Sequence, residues 1–159
     1  MLIIYLMSNI CAHESRSDLY YYFEIKVWKI FYWKSLDYKS GAVYSGGLED
    51  NLKCGQGEFE WPNGDKYSGE FILNHRHGYG IQTWFDGSEY QGQFEQDKRN
   101  GQGKHIWSNS ENYDGNWFLD YRHGYGKYQW YDSNVYFGMF FMNNREGYLI
   151  LNECFKKIL

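Results

Sequence analysis

Proline is nearly missing: Pro62 is the only one in 159 residues, so nothing in the composition breaks up long runs of β-structure. Cysteine is scarce too. Cys11, Cys54 and Cys154 are odd in number and far apart, which suits neither a disulfide framework nor a zinc site and favours a reducing, cytoplasmic setting. No basic surplus exists, because 16 Lys and Arg face 20 Asp and Glu for a formal net charge of −4. A nucleic-acid partner is therefore not expected. Long apolar runs are absent as well. "MLIIYLM" lacks preceding positive charge and ends at Asn9, too short for a membrane span of about 20 residues and unlike a secretory signal. What is abundant is aromatic side chains (22%) and glycine (18 residues), a composition of strands and tight turns in one domain.

A period organises these residues. Tyr44, Tyr67, Tyr90, Tyr113 and Tyr136 follow one another at intervals of 23. Two residues after each stands Gly46, Gly69, Gly92, Gly115 or Gly138, and two further on Leu48, Phe71, Phe94, Trp117 or Phe140. A Gly-x-Gly follows at Gly55/Gly57, Gly78/Gly80, Gly101/Gly103 and Gly124/Gly126, then Trp61, Trp84, Trp107 or Trp130 four residues later. Each unit closes on a turn dipeptide such as Asn63-Gly64 or Asp86-Gly87.

Such columns in register mark a tandem array. Tyr-x-Gly-x-Phe has period two, so Tyr67, Gly69 and Phe71 share one strand face, and Gly78, Gly80 and Trp84 share one face of the next. A hairpin through Asn74–His77 joins the two strands, and Asp86-Gly87 supplies the next tight turn. The expected fold is all-β, an open twisted single-sheet antiparallel meander of about ten strands advancing ~9.6 Å per unit. The glycines leave bare backbone across which rings can lie, so Gly78→Val is expected to expel a ring of the Trp84 type.

This pattern resembles the MORN (membrane occupation and recognition nexus) repeat, and "YSGEFILNHRHGYGIQTWFDGSE" at Tyr67–Glu89 is close to a consensus unit. The resemblance covers about two thirds of the chain. It divides the chain into an N-terminal tail (1–20), a degenerate first repeat or cap (21–43), the array (44–66, 67–89, 90–112, 113–135 and a partial 136–151) and a C-terminal cap or tail (152–159). Tyr38 and Gly41 hold the Trp and turn-Gly columns of the degenerate unit. "YYFEIKVWKIFYW" at Tyr21–Trp33 has strand composition, and "NECFKKIL" at Asn152–Leu159 is expected to fold as a short helix across the open edge.

Catalytic machinery is not in evidence. No nucleophile elbow, Walker loop or His-Glu-x-x-His is present, and Gly78-Tyr79-Gly80 lacks a third glycine. His75-x-His77 reads as a turn pair more readily than a zinc site, and His77 and His123 fall roughly 19 Å apart. No enzyme activity, metal or cofactor is expected.

Two surfaces remain. Lys53, Arg76, Arg99, Arg122 and Arg145 occupy one column expected in the hairpin loop, a candidate rim for anionic phospholipid or an acidic partner. The plainer alternative is a solvated turn cation that stacks on a neighbouring ring. Opposite the Gly/aromatic face, Tyr79, Tyr125 and Tyr148 are joined by Phe118, Phe137 and Phe141 as a candidate protein-binding face. Arrays similar to this one occur in junctophilins, radial-spoke head proteins, protist scaffolds, plant phosphatidylinositol-phosphate kinases and some lysine methyltransferases. The resemblance thus implies a scaffold in a cytoskeletal or ciliary assembly, lipid binding, or a regulatory fragment of a larger enzyme. The 159 residues leave no room for a kinase or methyltransferase domain, so no activity carries over. Open sheet edges would allow self-association.

Overall fold

A computed structural model describes residues 32–146 and 150–151. The expectations for 1–20, for the first part of 21–43, for 152–159 and for Tyr148 lie outside the described residues. The described chain forms one antiparallel sheet. Its strands are β1 (Tyr32–Asp37), β2 (Val43–Glu49), β3 (Leu52–Glu60), β4 (Lys66–Ile72), β5 (His75–Thr83) and β6 (Glu89–Glu95). There follow β7 (Lys98–Ile106), β8 (Asn112–Phe118), β9 (Tyr121–Gln129), β10 (Val135–Phe141), β11 (Asn144–Glu146) and β12 (Ile150–Leu151). Spatial order is chain order from β1 to β11, and β12 also pairs with β10. The strands number twelve rather than ten because β1 extends the array upstream and the return strand after β10 comes in two pieces.

The core is a single face of this sheet. Tyr44, Leu48, Tyr67, Phe71, Tyr90, Phe94, Tyr113, Trp117, Tyr136 and Phe140 are buried together there. Their rings alternate edge to face. Tyr67 meets Phe71 of its own strand at 5.1 Å and Phe94 of the next unit at 5.2 Å, Tyr90 meets Phe94 at 5.1 Å and Trp117 at 5.4 Å, and Tyr113 meets Phe140 at 5.0 Å. Edge-to-face pairs at these separations gain beyond their buried area. Among the described residues the core has no second layer.

Glycine makes the arrangement fit. Gly46, Gly57, Gly69, Gly80, Gly92, Gly103, Gly115, Gly126 and Gly138 are register partners in succession, a straight row across β2 to β10. Each Tyr lies along its own strand over this row, and its hydroxyl donates to the carbonyl three residues on: Tyr44 to Gly47 (2.8 Å), Tyr90 to Gln93 (2.9 Å), Tyr113 to Asn116 (2.8 Å). A Cβ on Gly80 would stand 2.5 Å from Tyr67 Cε2. The ring over the glycine row is thus Tyr, not Trp. Gly78 has another task, with φ +57° in a bulge where a Cβ would strike the Glu70 carboxylate. The expected expulsion of a Trp by Gly78→Val is corrected accordingly.

The turns also differ from expectation. The tight two-residue turns are Asp50-Asn51, Leu73-Asn74, Gln96-Asp97, Leu119-Asp120 and Met142-Asn143, each with φ positive at both residues and none containing glycine. This is the type I′ signature. At the other end Gly87 donates to the Trp84 carbonyl (3.0 Å) and Trp84 to the Ser88 carbonyl (2.9 Å), with positive φ at Gly87 alone. Asp86-Gly87 therefore closes a three-residue loop and not a two-residue turn. The same bonds recur at Tyr38/Gly41, where Gly41 donates to the Tyr38 carbonyl at 2.8 Å.

Candidate functional site

The strand register decides where the cation column points. Arg76 pairs with Phe71, Arg99 with Phe94, Arg122 with Trp117 and Arg145 with Phe140. These cations are on strands, on the ring face, and not in hairpin loops. The reason is the turn shift just described, which places the reversal at Leu73-Asn74 and leaves Arg76 inside β5.

Their charges are engaged. The Arg99 guanidinium lies 4.2 Å from the Trp117 ring, Arg76 lies 5.2 Å from Phe94, and Arg122 lies 5.1 Å from Tyr128. The Lys53 ammonium is 4.3 Å from the Phe59 ring, and burial pulls its pKa below the usual lysine value. Arg145 is exposed, 5.0 Å from Trp130. Such contacts contribute roughly 0.5–2 kcal/mol, depending on how far the cation is desolvated.

The turns of the following unit complete the column. Asp97 Oδ1 accepts from Arg76 N (2.9 Å) and Nε (3.2 Å), while Asp97 N donates to the Arg76 carbonyl (3.0 Å). Asp120 treats Arg99 alike at 3.0 and 3.1 Å. Asn74 and Asn143 accept from the backbone N–H of Lys53 and Arg122 at 2.8 and 2.9 Å. One column thus stitches four of the five hairpin turns to the strand 21 residues upstream. Burial opposes ionisation of Asp97 and Asp120, but hydrogen bonds from the Arg76 and Arg99 backbone and side chains hold both carboxyls below the usual value.

The opposite face falls into two regions. Near β2 to β5 it has a cleft of about 320 Å³ lined in part by Val43, Glu58, Lys66, Ser68 and Ile81, with Lys66 Nζ 3.2 Å from Glu60. Near β8 to β10 it is aromatic. Phe118, Tyr121, Phe137 and Phe141 are 43–54% exposed and Tyr125 71%. His123 packs between Phe118 (5.6 Å) and Phe141 (5.3 Å), and its Nδ1 is buried without a hydrogen-bond partner among the described residues. Tyr125 pairs with Met139, and Lys127 covers the Phe137 ring at 5.5 Å. Tyr79 is half exposed but pairs with Gln93, two units away from Tyr125. The structure therefore groups Phe118, Tyr125, Phe137 and Phe141 and sets Tyr79 apart.

With the 23-residue units, the glycine row and the Tyr–Phe ring chain established, the MORN repeat profile matches four consecutive segments, 44–66, 67–89, 90–111 and 113–135. The chain belongs to the MORN repeat family. Its repeat is a non-catalytic interaction module. A comparison with curated proteins finds no match.

Other expected sites can now be placed. His75 Nδ1 contacts Asp97 Oδ2 at 2.5 Å, and His77 Nδ1 accepts from Gly78 N at 2.9 Å, so the His75-x-His77 pair is split between two partners. Among the described residues no cluster of three His, Cys, Asp or Glu could hold a metal ion. Cys54 is buried in β3, its Sγ 3.6 Å from Glu49 Oε2. Among the described residues no helix is long and apolar enough to cross a membrane.

One column escaped notice in the sequence: the residue two before each Trp, namely Phe59, Gln82, His105 and Tyr128. Gln82 and His105 are buried. Burial, and then the Arg99 charge, push the His105 pKa down to about 4. The 23-residue register alone was enough to find this column.

Proposed function

We propose that this MORN array is a non-catalytic scaffold that binds a protein partner through the aromatic patch of Phe118, Tyr125, Phe137 and Phe141. The observation that carries it is the clustering of these exposed rings on the face not used for the core. A contiguous aromatic surface of this kind marks protein interfaces, where Tyr and Phe are enriched. The setting in a cytoskeletal or ciliary assembly rests on the family resemblance. For the phospholipid reading, most of the column from Lys53 to Arg145 would have to leave rings and carboxylates that already hold it.

Affinity purification with mass spectrometry from the native cell tests the proposal. Proteins retained by the native chain and lost with a Tyr125→Ser/Phe141→Ser variant are the expected outcome; an identical set from both overturns it. Sedimentation with anionic liposomes tests the lipid reading, which needs binding that weakens with Arg145→Ala.

A further inference from the structure

A second file of rings runs beside the Tyr–Phe chain on the core face. Trp61, Trp84, Trp107 and Trp130 recur once per unit, and the residue two before each stands between that Trp and the equivalent ring of the preceding unit. Phe59 lies 5.7 Å from Tyr38 and 4.7 Å from Trp61. His105 lies 5.1 Å from Trp84 and 4.4 Å from Trp107. Tyr128 lies 5.5 Å from Trp107 and 4.9 Å from Trp130. Three of the four gaps are thus filled by a ring of the chain itself.

The fourth is not. Gln82 stands between Trp61 and Trp84, and the gap there is a cleft of about 140 Å³ lined by Trp61, Asp65, Arg76, Gln82 and Trp84. Gln82 is 3% exposed, and its Oε1 accepts from Arg76 Nη1 at 2.8 Å. Among the described residues its Nε2 reaches only the Thr83 carbonyl, at 3.5 Å, the outer limit of a hydrogen bond. The floor is therefore polar and the walls are indoles.

The filled gaps show what such a cleft accepts. Each holds one planar ring tilted between its neighbours, a geometry aromatic pairs favour. A cation is disfavoured, because Arg76 lies on the floor, and His105 in the equivalent gap stays neutral under burial and the nearby Arg99 charge. An anion would meet the Asp65 carboxylate. A wholly apolar ring would leave Gln82 Nε2 with no acceptor beyond its long contact to the Thr83 carbonyl, at a cost of about 1–3 kcal/mol. A phenol satisfies all of these conditions.

We propose that the Trp61–Trp84 cleft binds a tyrosine side chain of a partner polypeptide, with the ring between the indoles and the hydroxyl on the Arg76–Gln82 floor. Tyr128 is the internal counterpart, its hydroxyl 2.6 Å from Glu111 Oε2, in the column that Asp65 occupies two units earlier. The cleft opens on the face away from the Phe118/Tyr125 patch, so the two proposals fail separately.

The test titrates N-acetyl-tyrosinamide into the full ¹⁵N-labelled chain and follows the indole N–H resonances. The expected result is saturable, millimolar-range shifts confined to the Trp61 and Trp84 signals. N-acetyl-phenylalaninamide should bind about fivefold more weakly, the worth of one net hydrogen bond, and tetramethylammonium should not bind. Gln82→Tyr, which supplies the missing ring, should abolish the shifts. Uniform shifts of all Trp signals, equal binding of the phenylalanine analogue, or no saturation would overturn the proposal. The comparison of the two analogues on the native chain stands even where Gln82→Tyr fails to fold.

Discussion

His105 and Trp107 stack with ring centroids 4.4 Å apart at an interplanar angle of 48°, and His105 is only 5% exposed. The imidazole there is a neutral aromatic filler. Its pKa falls from 6.5 to about 4, first through burial and then through Arg99, whose Nη1 is 3.2 Å from Nδ1.

A pH dependence follows from that stack. Between pH 6.5 and 4 the unfolded chain binds more protons at this site than the folded chain, so folding stability is fully present above pH 6.5 and falls as pH drops towards 4. The loss should be on the order of 2–3 kcal/mol. Asp97 and Asp120, held below the usual carboxylate pKa, lose their contribution only at lower pH still. Urea midpoints across this range should decline for the native chain and stay flat for His105→Phe. An unchanged slope in the variant would refute the assignment.

Gly80→Ala should destabilise the array by about 1–3 kcal/mol, the usual cost of overpacking. Its Cβ would overlap the Tyr67 ring, 2.5 Å from Cε2. Gly87→Ala meets nothing within 4 Å but must hold φ +85°, and should cost about 1 kcal/mol. Chemical denaturation of both variants ranks them, and equal midpoints would contradict the packing role of the glycine row.

Asp97→Asn should be nearly neutral, since Asn74 and Asn143 accept the same backbone bond in their own units. Asp97→Ala should cost about 1–2 kcal/mol, comparable to losing a helix cap. Amide exchange at Arg76 N gives a second measure and should quicken in the alanine variant only.

Arg99→Ala should lower thermal stability, because the guanidinium stacks 4.2 Å from Trp117 and bonds Asp120. Arg99→Lys should recover only part, as an ammonium cannot match the planar fork. A variant with native stability would return this residue to the status of a free surface cation.

The repeat made most of the fold legible before any coordinates. Tyr, Gly and Phe two residues apart announce a strand, and the column spacing announces strand after strand. The type I′ turns were hidden because Leu73 and Gln96 are poor advertisements for positive φ, and tertiary stitching by Asn74 and Asp97 holds them there. Misplacing that turn by two residues moved Arg76 from a ring-stacked strand position to a loop. The cleft at Gln82 was equally hidden. Its signal is a missing ring in one column, and an absence carries meaning only once the neighbours are seen to touch.

The stitch of these turns to the strand 21 residues upstream has a mechanical consequence. Each of these junctions is fastened to the unit immediately before it. Under tension the array should part like a zip, one hairpin at a time. Each released unit of 23 residues would pay out roughly 80 Å of extended chain, and the teeth on either side of the break would stay closed.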